Sequence, residues 1–357
     1  MTTSVLTADN GVSVSIFHDE IPLEIEQELN RCYETLHASL PFFRVFRRTD
    51  NASCYVARKL DSVLEILVFR IERRRVLVLN EMFHIDAAEL TRFVQSIFNS
   101  FPRIDVISFN ALDCCTGSLA YPFQRFNAKD TYLVSLPATP EAYTASLGKT
   151  TRTSIRHQLN TASKTFPSLT MRFLVKEEID EDTVRAIARL SEQRISGSGV
   201  KFTHDVKRIL ALARECGFVS LLCIDGKMCA GSVNYQIGRS FFGDITAYAP
   251  EYGRYGVGKL CTYLTICECI RRGGAKFYLG GGEFEFKQRL LGQRIGMDEL
   301  QVYRSTRRLL ANVDCVLQAF ARCQLRRLKV ALHQRKSSRA GTIAFRALHA
   351  LKNKFAK

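Results

Sequence analysis

Between Val219 and Leu290 the sequence places several residue types that can do chemistry close together. The run Arg254-Tyr255-Gly256-Val257-Gly258-Lys259 follows a strand pattern and opens a helix pattern. A glycine turn at that junction offers backbone N–H groups at the positive end of a helix dipole, a seat for phosphate or pyrophosphate. Arg254 and Lys259 add charge to it; the alternative reading is a plain tight turn with a helix cap. Asp244 lies in mid-strand, where aspartate is depleted. Strict alternation puts it on one face with Phe242, Thr246 and Tyr248, so Asp244 and Tyr248 read as base and proton donor, or as a solvent-facing polar row. After Gly280-Gly281-Gly282 come Glu283, Glu285 and Lys287, which share a face if the segment is extended. Glu283 joins the catalytic candidates, while Glu285 and Lys287 are candidates for substrate contact, against the alternative of a solvated loop. Arg194, just ahead of a Ser-Gly-Ser-Gly loop, meets an anionic substrate or caps its own helix. His204 reads as a helix-start residue, and His84 and His157 have no companions at metal-ligand spacing, so no metal site is expected.

These residues need a scaffold, and the pattern supplies one. Strands are predicted at 219–224, 228–237, 240–248 and 276–282, with hairpin turns at Asp225-Gly226 and Gly238-Arg239. A helix from the glycine loop to about Arg272 stops at Gly273-Gly274. Residues 52–110 repeat this order of elements: three strands in two hairpins, a helix over 86–100, and a further strand. The first copy has Glu81-Met82-Phe83-His84 where the second has its glycines. Helices are also predicted over 19–36, 149–164, 179–195 and 204–217, with Thr139-Pro140-Glu141 capping a short one.

The chain has 357 residues, 46% hydrophobic and 24% charged, an ordinary balance for a globular protein long enough for two domains. No apolar run reaches membrane-spanning length and the first residues lack a secretory pattern, so a cytoplasmic protein is expected. Twelve cysteines fall mostly in apolar runs without a C-x-x-C pair, which favours buried thiols over disulfides. The net charge of +16 is uneven: residues 301–357 hold fourteen Lys/Arg against Asp314 alone, leaving +3 for the rest. Residues 306–335 read as a long helix with Leu309, Val313, Val316, Phe320, Leu325, Leu328 and Leu332 in a stripe, followed by a short basic helix. This tail has three readings: its stripe docks on the body, it lies on an anionic membrane surface at the inner face, or it binds RNA. No aromatic interleaving for base stacking is present, which disfavours nucleic acid.

Residues 145–305 resemble the acyltransferase half of GNAT-superfamily proteins, in particular the CelD-like group linked to cellulose and exopolysaccharide biosynthesis. The match rests on the order of KTTRTSIRHQL, LSEQRISGSG, two hairpins, YGRYGVGKL and YLGGGEFEFKQRLLG, a little under half the chain. FemABX-type peptidoglycan aminoacyltransferases, which set two GNAT-like units in tandem, are similar as well. Against the GNAT loop [Q/R]-x-x-G-x-[G/A], Gly256 and Gly258 fit while Gly253 takes the first position, and Phe286 stands where relatives often have Tyr.

The resemblance implies an α/β fold of mixed, mostly antiparallel sheets: GNAT-like units over 1–140 and 141–305, then a basic helical arm over 306–357. It implies direct transfer from acetyl-CoA or another acyl-CoA to an amine or hydroxyl of a sugar or polysaccharide precursor, with CoA pyrophosphate on residues 254–259. Two alternatives stay open: an aminoacyltransferase using aminoacyl-tRNA, and an idle scaffold in a polysaccharide synthase complex.

Overall fold

The computed structural model describes residues 3–8, 11–46, 49–60, 62–114, 116, 119–197, 202–281, 285–313, 316–317, 320–321 and 323–325. The chain divides into two compact units, residues 1–130 with 296–328, and residues 131–295 with 329–357. No helix among the described residues is long and apolar enough to cross a membrane.

The first unit opens with β1 (Thr3–Ala8) and β2 (Val12–Phe17), then α1 (Ile25–Tyr33) and α2 (Leu40–Phe46). It continues with β3 (Ser53–Lys59), β4 (Ser62–Glu72), β5 (Arg75–Val78), β6 (Phe83–Ile85), α3 (Ala87–Ser100), β7 (Val106–Cys114) and β8 (Phe123–Ser135), whose residues from Thr131 belong to the second unit. Strands β1 to β5 pair antiparallel in sequence order, and β5 pairs β7 in parallel. Alternate residues of β3 and β4 serve different cores. Tyr55, Ala57, Leu67 and Phe69 pack toward α3, while Cys54, Val56, Ile66 and Val68 pack toward α1 and α2. A sheet covered on both faces explains why these strands read as continuous apolar runs.

The second unit holds α4 (Pro140–Ser146), α5 (Lys149–Thr165), β9 (Thr170–Val175), α6 (Glu181–Ser196), α7 (Val206–Cys216), β10 (Gly217–Ile224), β11 (Lys227–Ile237) and β12 (Ser240–Tyr248). Then come α8 (Val257–Arg271), β13 (Lys276–Tyr278) and α9 (Glu285–Arg289). Its sheet order is β9-β10-β11-β12-β13 and then the end of β8, antiparallel except for β12 with β13. Asp225 and Gly226 both take positive φ, as a two-residue hairpin of this twist requires. Thr139, Asp180 and Asp205 cap α4, α6 and α7 by accepting from the third residue beyond. Helices α4, α5 and α8 bury one face of the sheet, where Cys229, Cys261, Cys267 and Cys269 lie as free thiols. Helices α6 and α7 pack on the other.

Strand β14 (Gln293–Tyr303) pairs β7 from Asp298 to Tyr303 within the first unit. It leads into α10 (Thr306–Ala311). Most of the predicted basic tail, from residue 326 on, lies outside the described residues.

The repeated order is real in space. In each unit, three antiparallel strands and a helix are followed by a strand parallel to the third. The units differ just past that parallel pairing. In the first, the chain beyond β5 stays beside β7: Met82 N–H donates to Ala111 O and β6 pairs with Leu112–Cys114. Asn80, just past β5, accepts from Val68 N and donates to Ile66 O of β4. In the second, pairing of β12 with β13 ends at Phe242 and Tyr278, yet β12 runs on to Tyr248. No strand among the described residues enters the opening.

Candidate active site

Asp244 owes its position to an irregularity. On β11 the neighbours Val233 and Asn234 pair with Ile245 and Gly243, so Asp244 is one residue too many, a β-bulge. The bulge shifts the parity of the strand. Ile245 now shares a face with Val233 and Tyr235, toward α6 and α7, whereas Tyr248 pairs with Ala230 of the α8-side core. The Tyr235 hydroxyl donates to Asp244 Oδ2 at 2.8 Å. The Tyr248 ring lies instead 2.6 Å from where a Cβ on Gly258 of α8 would stand. Asp244 and Tyr248 therefore do not share a face: a period-two count fails across a bulge, and Tyr235 is the phenol beside Asp244.

Asp244 is exposed to solvent, and the protein around it still desolvates its carboxyl enough to raise it above the usual range. The Tyr235 hydrogen bond and nearby His204 pull the other way. His204 comes from the turn before α7: its N–H donates to Glu192 Oε1 at 2.7 Å, and Nε2 lies 3.1 Å from Ser191 Oγ. Burial favours its neutral form, against the pull of Asp244 and Glu192, and Arg194 on the last turn of α6 acts in the same direction as burial. Arg194 and Asp244 thus both act on His204, in opposite directions. Nothing in the sequence marked His204 for this role, because a histidine ahead of a helix has a sufficient local reason.

At the start of α8, Gly256 takes φ +68° and provides no capping side chain. The first amides of an α-helix have no partner within it, so those of Val257, Gly258 and Lys259 face the loop. The side-chain positions of the loop are not bare, however. A Cβ at Gly256 would stand 2.4 Å from Gln158 Nε2 of α5. Gly256 and Gly258 are small because Gln158 and Tyr248 occupy their space, which is a packing reason for the glycine pattern. Gln158 Oε1 is buried there without a hydrogen-bond partner. Lys259 Nζ donates to Ser154 Oγ at 2.8 Å, and its pKa is lowered by burial first and by Arg289 second. Arg254 lies over the Tyr255 ring and donates to its hydroxyl at 2.7 Å. Arg254, Lys259 and Arg289 bring positive charge to the loop, opposed by Glu251 within it and by Glu285 on Arg289.

The segment after the glycines departs from the extended reading. Glu285 to Arg289 is a helix, in which residues two apart point about 200° from each other, so Glu285 and Lys287 share no face. Glu285 is exposed and pairs with Arg289 at 2.6 Å. Lys287 is buried: its ammonium donates to the carbonyls of Gly280 at 3.0 Å and Gly281 at 2.5 Å, over the Tyr132 ring. Burial lowers its pKa to about 8. It fixes the turn at the end of β13. Glu283 lies outside the described residues.

Residues 149–288 match the family described as an acetyltransferase (GNAT) domain. Among solved structures, FemX superposes with a TM-score of 0.61 at 11% identity, covering 79% of this chain and 96% of its own. A conserved protein of unknown function from Bacteroides thetaiotaomicron gives 0.51 at 12%, covering 80% and 99%. A comparison with curated proteins gives no match. Residues 149–288 thus carry an acetyltransferase (GNAT) domain, in a chain whose mixed α/β fold is that of FemX.

Proposed function

We propose that the second unit transfers an acyl group directly from an acyl-CoA thioester to an amine or hydroxyl of a sugar or polysaccharide precursor. The observation that carries this reading is the parting of β12 from β13 beyond Phe242 and Tyr278, with Asp244 beside the gap and the start of α8 beyond Tyr248. Acetyl-CoA or another acyl-CoA is a substrate in this scheme. Its pyrophosphate rests on the first amides of α8, with Arg254, Lys259 and Arg289 supplying charge. Its carbonyl lies along the unpaired edge of β12, whose N–H groups stabilise the oxyanion as it forms.

Asp244 takes the proton from the attacking amine or hydroxyl as the new C–N or C–O bond forms. The C–S bond breaks and the CoA thiolate leaves. A desolvated carboxylate is a stronger base than one in water, which suits it to this step. Tyr235 orients the carboxylate, and Arg194 and His204 line the acceptor side. The saccharide acceptor is supported by the CelD-like order of motifs.

A second reading uses aminoacyl-tRNA as donor. Two observations favour it: the net charge of +16 and the Gln158 carboxamide narrowing the loop. Calorimetric titration separates the two. Acetyl-CoA and longer acyl-CoAs are expected to bind with dissociation constants on the order of micromolar. No heat with any of them, together with tight, salt-dependent tRNA binding, rejects the first reading for the second.

A further inference from the structure

Helix α5 packs on α8 and on the loop that opens it, and a pair of its side chains one turn apart reach that loop. Ser154 accepts from Lys259 Nζ at 2.8 Å. The Gln158 carboxamide lies flat against Gly256: a Cβ there would stand 2.4 Å from Nε2, 2.5 Å from Cδ and 2.7 Å from Oε1. The loop itself brings little polar side chain to this place. Gly253, Gly256 and Gly258 have none, and Arg254 donates to the Tyr255 hydroxyl, whose ring packs on Phe166 at the end of α5.

One atom of the carboxamide is left over. Gln158 Oε1 is buried and accepts from no group among the described residues. An acceptor buried without a donor costs stability, and in folded proteins such atoms are completed by water, an ion or a ligand. This one sits at the residue that precedes the first amides of α8, which have no partner within the helix. A diphosphate seated on those amides does not complete Oε1, because its oxygens only accept. The missing partner is an O–H or N–H that the same ligand carries close to its diphosphate.

We infer that Gln158 reads the pantetheine arm of the donor, its Oε1 accepting from the pantoyl hydroxyl. The inference rests on the acyl-CoA reading of the second unit and deepens it. In CoA a short carbon link joins the diphosphate to that hydroxyl, so a ligand held by its diphosphate at α8 brings the hydroxyl to the neighbouring helix. The ribose on the other side of the diphosphate carries the rival hydroxyls; the terminal adenosine of a tRNA has those and no pantoyl group. A site that hydrogen-bonds a substrate hydroxyl discriminates against ligands lacking it, so Gln158 bears on the choice of donor.

Dephospho-CoA and ADP share the diphosphate and the adenosine, and only the first has the pantetheine arm. Calorimetric titration of the full chain measures dephospho-CoA directly and ADP by competition. Gln158→Met, of similar length and shape, is expected to weaken dephospho-CoA by about three- to tenfold, the worth of one hydrogen bond, and to leave ADP unchanged. Circular dichroism and Tm check that the variant folds. In the wild type, the NMR signals of the Gln158 side-chain amide are expected to shift with dephospho-CoA and to hold still with ADP, a readout that needs no variant protein. Equal loss with both ligands, or no loss with either, overturns the inference and leaves the acyl-CoA reading in place. An amide signal that moves as far with ADP does the same. Wild type that binds neither ligand removes that reading, and the inference with it.

Discussion

At Asp244 two influences oppose each other: desolvation raises the pKa, and the hydroxyl of Tyr235 lowers it. As general base the carboxylate must be deprotonated, so activity is present above its pKa and lost as pH falls through it. The acid limb of kcat/KM is therefore expected above the ordinary carboxylate range. Tyr235→Phe removes a donor to the charged form and is expected to move the limb higher still. Asp244→Asn is expected to cost about 10²- to 10⁴-fold in kcat; a pH profile of wild type and both variants checks this, and an unmoved limb in Tyr235→Phe counts against the assignment. Asp244 was legible in the sequence because an aspartate inside an apolar strand needs a reason. Its partner was not. The bulge inserts one residue and exchanges Tyr248 for Tyr235, and a bulge leaves no mark in a hydrophobic alternation. His204 escaped for a different cause, since the fold alone brings it across to β12.

The loop into α8 was found through its glycines, and the elements around it explain them otherwise than as bare phosphate contacts. A Cβ at Gly258 would meet Tyr248 Cδ1 at 2.6 Å. Gly258→Ala is therefore expected to destabilise the protein by about 1–3 kcal/mol through overpacking. In a Tyr248→Ala background the same change is expected to stabilise by up to about 1 kcal/mol, the ordinary helix preference of Ala over Gly. Thermal unfolding of the double-mutant cycle checks this, and additive effects would mean the ring gives way. The hairpins, α5, α6 and α8 were predicted nearly to the residue because Asp-Gly turns, caps and long periodic runs are local signals. The five residues of α9 were not, because so short a helix has too little periodicity to separate it from an extended segment.

On the scale of the whole chain, two units share one order of elements, and only one keeps its parallel pair open. The repeat could be read from topology, whereas the closing of the first unit depends on β6, whose role appears only in pairing. The first unit has a buried carboxylate of its own. Glu65 accepts from Tyr33, and burial pushes its pKa up to about 8. The folded state binds its proton more tightly than the unfolded chain. Its contribution to stability is thus full below the ordinary carboxylate pKa and lost as pH rises toward about 8. Glu65→Gln is expected to flatten Tm against pH in that window, and an unchanged slope would assign the dependence elsewhere. The central claim is that a thioester substrate lies in the gap between β12 and β13 of the second unit. Hydrogen–deuterium exchange with and without acetyl-CoA or a longer acyl-CoA tests it most directly. Slowed exchange is expected at residues 243–248 and 257–259, with β5, β6 and β7 unchanged; protection confined to other segments, or none at saturating acyl-CoA, would contradict it.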